Sequence, residues 1–172
     1  LWSMNNYKPK MVMGSVYRKL ADQTDQGNTF GPWDPKEYTV EDSAFGYIVM
    51  ENGATIVLES SWALNSLDED EAKTSLCGTK AGADMKGEKD GLRINGVKYN
   101  RPYVQNVDTS IHEVAFFRGN ADEPAPVVEA RTFYSAVMHG TELVVKPEQA
   151  LVVTQILEAI YKSSKEGKPV VF

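Results

Sequence analysis

The first two thirds of the chain contain short segments rich in apolar and β-branched residues, separated by polar and turn-forming residues, a pattern typical of β-strands. Strands are predicted over Lys10 to Leu20, Ser43 to Met50, Ala54 to Leu64 and Glu71 to Cys77. Glu51-Asn52-Gly53 separates two of these strands and predicts a tight hairpin, because Asn-Gly readily takes the positive φ angles of such turns. A second Asn-Gly pair, Asn95-Gly96, predicts another hairpin within Gly91 to Tyr99.

The last third of the chain changes to a helical period. Apolar residues recur every three or four positions from Pro126 to His139 and again from Pro147 to Glu166. Gly140 and Gly167 follow these segments and suit helix ends, where a left-handed residue is common. Val170 to Phe172 is predicted to form a short final strand.

These elements predict an α+β fold, with an open, mostly antiparallel sheet and helices packed on one face. A length of 172 residues suits one domain, so residues 1–172 are expected to form a single domain. Ala44 to Met50 is apolar on both strand faces. The second face of the sheet is therefore expected to be partly apolar and to contact another subunit in a homo-oligomer. The alternative is that loops cover this face.

Composition narrows the classes of function. The net charge is −6 and no extended basic stretch is present, which argues against a nucleic-acid partner. No apolar run approaches the roughly 20 residues needed to span a bilayer. The single cysteine, Cys77, excludes an intramolecular disulfide and fits a cytoplasmic protein.

Leu1 to Met4 is typical of the last turn of a helix without its cap, which favours missing chain upstream.

Motifs for catalysis or metal binding are not evident. His112 and His139 are far apart and neither lies in an HExxH pattern, so no metal site is expected. Cys77 is more typical of a packed residue than of a nucleophile. The segment from Gly78 to Gly82 is better explained as a β-turn than as a phosphate loop. No G-x-G-x-x-G sequence follows a strand, so a dinucleotide-binding fold is not encoded here.

Ligand binding is the remaining candidate chemistry. Residues 21–42 form a long polar segment, and such segments are often lids or binding loops. Aromatic rings with a few charged groups suit a polyhydroxylated ligand, because the C–H faces of a sugar stack while its hydroxyls form hydrogen bonds. The candidate substrate-binding residues are Arg18, Trp33, Asp34, Tyr38, Trp62 and His112. Composition alone favours the alternative that Trp33 and Trp62 are ordinary packing residues.

Several segments, taken in order, carry a family resemblance. They are Leu1 to Met4, Thr39 to Gly46 (V-E-D-x-A), Asn52 to Ala54, Leu58 to Ala63 (L-E-x-S-W-A), Cys77 to Ala83 (G-T-x-G) and Pro147 to Val170. Together they resemble the C-terminal domain of the glucose–fructose oxidoreductase / inositol dehydrogenase / MocA (Gfo/Idh/MocA) family and cover nearly the whole chain.

This resemblance implies an enzyme in which an N-terminal Rossmann domain, absent from this chain, binds NAD or NADP. The C-terminal domain would shape the pocket for a sugar or polyol and mediate dimers or tetramers through the open sheet face. The family's catalytic lysine, from an E-K-P motif, and its Asp/His pair fall outside this chain. No catalytic or cofactor-binding residue is therefore carried over, no cofactor is expected on this chain, and the chain alone is expected to be inactive.

Two other hypotheses stay open from the sequence. The chain could be a stand-alone, non-catalytic module for ligand binding or assembly. It could also be a different enzyme whose site lies wholly within these residues.

Overall fold

A computed structural model describes residues 1–20, 23, 25, 27–28, 31–34, 36–66, 73–85, 91–107 and 124–172. The described residues contain ten strands: β1 Pro9–Tyr17, β2 Gly27–Asn28, β3 Gly31–Pro32, β4 Ser43–Met50, β5 Thr55–Ser61, β6 Thr74–Cys77, β7 Ala81–Met85, β8 Leu92–Lys98, β9 Arg101–Val107 and β10 Val170–Val171. They also contain the helices α1 Ala125–His139 and α2 Pro147–Glu166, and a 3-10 turn at Trp2–Met4.

Contacts divide the chain into two compact units. The first combines Leu1–Asn65 with His139–Phe172, and the second is Ser66–Met138. The first contains an antiparallel sheet in the order β10-β1-β4-β5, and the second contains one in the order β6-β7-β8-β9. The predicted fold class, with open antiparallel sheets and two helices, is confirmed. The described strands are divided between these sheets and a small β2–β3 ribbon, whereas the sequence predicted one sheet.

The core of the first unit lies between α2 and one face of its sheet. Its buried hydrophobic residues come from β1, β4 and α2, and they are Val12, Ile48, Met50, Ile156, Ala159 and Ile160. The helix begins at Pro147, and Gly167 ends it in the left-handed conformation, as the sequence predicted. Burial of a Val, Leu or Ile side chain contributes about 1.5–3 kcal/mol, so this cluster is a major source of stability for the unit.

Two cross-strand glycines let α2 approach the sheet closely. Gly14 of β1 pairs with Gly46 of β4. A Cβ atom on either glycine would lie 2.7 Å from Ile160 side-chain atoms, well inside van der Waals contact. The absence of side chains at this pair therefore creates the space that Ile160 occupies.

The open edge of β1 is closed in two ways. β10 pairs with Met11 and Val12. Farther along β1, the N–H groups of Gly14 and Val16 donate to the hydroxyls of Ser163 and Ser164 of α2, each at 3.0 Å. Helix side chains thus replace a strand partner at positions where unpaired N–H groups would otherwise remain.

The second face of this sheet exposes apolar side chains next to the charged Glu59. Tyr47 and Val57 are cross-strand partners and are 49% and 77% exposed, and Val171 on β10 is 73% exposed. Met13 lies opposite Tyr47 and is also exposed. The predicted two-faced apolar strand is therefore present, whereas its contact with another subunit stays a prediction.

The hairpins differ in part from the sequence prediction. The turn after β4 is where it was expected, but only Gly53 has a positive φ, of 85°. The Gly53 N–H donates to the Met50 carbonyl and the Met50 N–H to the Ala54 carbonyl, which is typical of a type I turn followed by a glycine bulge. Asn52 accepts a hydrogen bond from the Ala54 N–H through its side chain.

The predicted hairpin at Asn95-Gly96 is wrong. Both residues lie inside β8, and the chain turns at Tyr99 and Asn100, which have φ angles of 54° and 59°. Gly96 pairs with Tyr103, and a Cβ at Gly96 would lie 3.0 Å from the Tyr103 ring. This glycine therefore serves cross-strand packing rather than a turn.

Neither described helix combines the length and the apolar character needed to cross a lipid bilayer.

Candidate functional site

Four of the six predicted ligand-binding residues come together in the first unit. Trp62, just after β5, lies at the centre of this group. The Trp33 ring packs edge-on against Trp62 with centroids 4.8 Å apart, and the Tyr38 ring does so at 5.0 Å. Arg18, after β1, places its guanidinium 5.2 Å from the Tyr38 ring centroid. We call Arg18, Trp33, Tyr38 and Trp62 the aromatic cluster.

Hydrogen bonds fix two members of this cluster. An Arg18 guanidinium N–H donates to the Tyr38 backbone carbonyl at 2.7 Å, in addition to its cation–π contact. The Trp62 indole N–H donates to the Glu41 backbone carbonyl at 2.7 Å. The orientation of both side chains therefore depends on the backbone of the segment between β3 and β4.

Two polar atoms in the cluster are buried without a hydrogen-bond partner within the described part of the chain. They are the indole nitrogen of Trp33 and the hydroxyl of Tyr38. A buried polar group without a partner costs about 1–3 kcal/mol. Edge-on packing of the rings agrees with the alternative that the tryptophans pack against protein, and their role in ligand binding stays a prediction.

Asp34 and His112 do not join the aromatic cluster in the described contacts. Asp34 is exposed, and its carboxylate accepts a hydrogen bond from the Lys36 N–H at 2.8 Å. That contact is typical of an Asx turn, so Asp34 shapes the segment that follows Trp33. His112 lies outside the described residues.

Asp42 is a buried residue that the sequence did not single out. It is 2% exposed, and its carboxylate accepts hydrogen bonds from the backbone N–H groups of Lys19 and Leu20 and from the Ser43 hydroxyl. These three donors replace water around the charge. Asp42 therefore joins the end of β1 to the start of β4 and is fully engaged in that task.

Glu41 is a second residue that the sequence did not single out, and its surroundings differ from those of Asp42. Its carboxylate accepts a hydrogen bond of 2.5 Å from the Tyr161 hydroxyl of α2. This bond is the main cause of a pKa of Tyr161 above its ordinary value. The V-E-D segment was noted only as a family resemblance. Tyr161 is 120 positions away, so no local pattern indicated the pair.

A shallow pocket of about 50 Å³ lies beside these residues. We call it the Trp62 pocket, and its lining residues are Glu41, Asp42, Ser43, Ala44, Ser60, Ser61 and Trp62. A few water molecules fit in such a volume. Within the described ranges, no three Asp, Glu, His or Cys side chains are close enough to hold a metal ion.

The fold and this group of aromatic, hydroxyl and carboxylate side chains define a class of protein: an α+β domain with a small pocket lined by polar and aromatic residues. The family described as "Oxidoreductase family, C-terminal alpha/beta domain", that of Gfo/Idh/MocA proteins, matches residues 9–172. The chain belongs to this family.

Individual relatives support this assignment. The chain is 30% identical over 167 residues to the D-glucoside 3-dehydrogenase of Escherichia coli K12, and the match covers 92% of this chain and 41% of that protein. The chain therefore spans less than half the length of this relative.

Solved structures share the fold. Levoglucosan dehydrogenase, in a complex with NADH and L-sorbose, is 18% identical with a TM-score of 0.66, covering 95% of this chain and 44% of that one. The aldose-aldose oxidoreductase of Caulobacter crescentus, complexed with glycerol, is 18% identical with a TM-score of 0.59, covering 96% of this chain and 42% of that one.

Proposed function

We propose that this chain is the substrate-binding and oligomerising domain of an NAD- or NADP-dependent oxidoreductase that acts on a hydroxyl of a sugar or polyol. The family match over residues 9–172 is the observation that carries the proposal. The relative that dehydrogenates D-glucosides indicates the substrate class to test first. In this proposal both compact units belong to one C-terminal domain, and a Rossmann domain elsewhere in the protein binds the cofactor.

The implied reaction is oxidation of a carbinol carbon. The cofactor, held by the nucleotide-binding half, would supply the hydride acceptor, and a base in that half would take the hydroxyl proton. The residues of this chain orient the sugar and exclude water, and orientation alone can supply a large part of a rate enhancement. No residue of this chain is assigned to the cofactor.

The proposed substrate contacts involve the aromatic cluster together with Asp34 and His112. Trp33 and Trp62 offer ring surface to sugar C–H groups, and Arg18 offers donors to hydroxyls. We place the enzyme in the cytoplasm, since the single cysteine and the lack of an intramolecular disulfide fit a reducing compartment.

The proposal is tested by measuring nicotinamide reduction. The protein that contains this chain is incubated with NAD⁺ or NADP⁺ and with methyl D-glucoside, D-glucose or glycerol, and absorbance of the reduced nicotinamide is followed. We expect turnover that depends on the sugar and on one of the two cofactors. We expect no turnover from residues 1–172 alone.

Two results would contradict the proposal. Turnover by residues 1–172 alone would place a complete site within this chain. Absence of turnover in the longer protein with every sugar and both cofactors, while it remains folded, would reject the oxidoreductase function.

A further inference from the structure

We propose that Glu41, presented by Tyr161 and flanked by Ser60 and Trp62, binds a pair of neighbouring hydroxyls and restricts the Trp62 pocket to uncharged sugars. This inference rests on the proposed function and adds the charge class of the substrate. It also assigns a role to residues that the sequence did not single out.

The polar groups lining the pocket differ in their availability. Asp42 is buried and engaged with three donors. The Ser61 hydroxyl donates to the Asp42 carbonyl and accepts from the N–H groups of Ala63 and Leu64. The hydrogen bonds of these two side chains are made to other groups of the protein. Asp42 and Ser61 therefore have few hydrogen-bonding positions left for a ligand.

Glu41 and Ser60 retain that capacity. One carboxylate oxygen of Glu41 accepts the Tyr161 hydroxyl, and within the described part of the chain the other has no hydrogen bond. Ser60 is exposed, and its hydroxyl has no hydrogen bond to the described residues. A carboxylate oxygen accepts hydroxyl protons strongly, and a serine hydroxyl both donates and accepts.

Tyr161 positions the carboxylate. Glu41 precedes β4 and Tyr161 lies on α2, so the hydrogen bond between them joins two elements. Because the partner is a neutral hydroxyl rather than Lys or Arg, this contact is not an ion pair. The Glu41 backbone carbonyl meanwhile fixes the Trp62 indole beside it. Glu41 therefore offers a carboxylate oxygen while its backbone holds an aromatic ring in place, a combination that suits a sugar.

Charge and volume define the ligand. Two of the lining residues carry carboxylates, and none is Lys or Arg. A phosphate or carboxylate held inside the pocket would therefore lie close to the Glu41 carboxylate, with no cation among the described lining residues. A volume of about 50 Å³ admits an edge of the ring rather than a whole sugar. The pocket fits a vicinal diol or a hydroxymethyl group of an uncharged sugar.

The test compares a neutral sugar with an anionic one by isothermal titration calorimetry of the intact protein that contains this chain. Methyl D-glucoside and D-glucose 6-phosphate are the two probes. We expect the wild-type protein to bind the glucoside at least about tenfold more tightly than the phosphate, a difference of about 1.4 kcal/mol.

Glu41→Gln is the informative variant, because it keeps the backbone carbonyl that accepts the Trp62 N–H. We expect it to weaken glucoside binding about 10- to 100-fold, the range for hydrogen bonds to charged groups, and to reduce the preference over the phosphate. Tyr161→Phe should weaken glucoside binding a few-fold, because the carboxylate remains but loses its orienting contact. Glu51→Gln, beyond the other end of β4, is the matched control and should bind as wild type.

Three results would overturn the inference: wild-type protein that binds neither probe, equal binding of both probes, or wild-type affinity in Glu41→Gln. Thermal unfolding of each variant separates a binding loss from a folding defect. The nicotinamide assay separates the two proposals. Turnover of neutral sugars with an unaffected Glu41→Gln variant rejects only this inference, whereas absence of turnover rejects the enzyme function.

Discussion

Single atoms determine how closely α2 approaches its sheet. Gly14 and Gly46 provide the space that the Ile160 side chain fills, and neither glycine has a positive φ. Their role is therefore steric rather than conformational, which distinguishes them from Gly53 and Gly167.

Gly46→Ala is expected to destabilise the protein by about 1–3 kcal/mol, the usual cost of overpacking a core. The added methyl would meet the Ile160 side chain at 2.7 Å. Urea unfolding measures this loss. The double variant Gly46→Ala/Ile160→Val should lose less than the sum of the single variants, because valine lacks the terminal methyl that clashes. Additive losses would show that Ile160 is not the source of the strain.

The site could be predicted only in part at the level of residues. Trp33, Tyr38 and Trp62 are large aromatics near strand ends, so composition indicated them, and the structure brings them together with Arg18. The Glu41–Tyr161 pair could not be predicted, because the segment before β4 and helix α2 meet only after the chain has folded.

At the level of elements, hydrogen bonds from β1 to the end of α2 replace part of a strand pairing. The Ser163 hydroxyl accepts a hydrogen bond from the buried Gly14 N–H. The Ser164 hydroxyl accepts one from the Val16 N–H, which is only partly buried. The two serines therefore provide similar bonds in different environments.

Ser163→Ala is expected to cost about 1–3 kcal/mol of unfolding free energy, because the Gly14 N–H would stay buried without an acceptor. Ser164→Ala should cost less, since water can reach the Val16 N–H. Thermal and urea unfolding compare the two variants. An equal or larger loss in Ser164→Ala would contradict this account of the β1 edge.

Element prediction succeeded where the signal was local. The helix Pro147–Glu166 has its apolar stripe, its first-turn proline and its terminal glycine within one segment. The hairpin at Asn95-Gly96 failed because its glycine accommodates Tyr103 from the neighbouring strand, and the turn falls at Tyr99 and Asn100. A glycine needed for a cross-strand contact looks the same in sequence as one needed for a turn.

At the scale of the whole molecule, the exposed apolar face of the first sheet supports the proposed assembly. Such a face on a monomer would leave Tyr47 and Val57 in water. Homo-oligomer interfaces are enriched in this kind of surface.

The double variant Tyr47→Asp/Val57→Asp is expected to convert a wild-type oligomer into a monomer, because each interface would bury unpaired charges. Light scattering coupled to size-exclusion chromatography gives the mass. Val144→Asp is the control, since Val144 is 69% exposed and lies outside the sheet. A wild-type protein that is monomeric at micromolar concentrations, or a variant that keeps the wild-type mass, would refute the assembly.

The first unit is discontinuous along the chain, and this affects the order of events during synthesis. Its sheet uses β1 and β4 from the first 65 residues, whereas its core is completed by Ile156 and Ile160 from the last 34. As the polypeptide leaves the ribosome, the second unit emerges whole before the first can bury its hydrophobic residues. The early strands β1 and β4 therefore lack the helix that buries their hydrophobic residues until α2 has been translated.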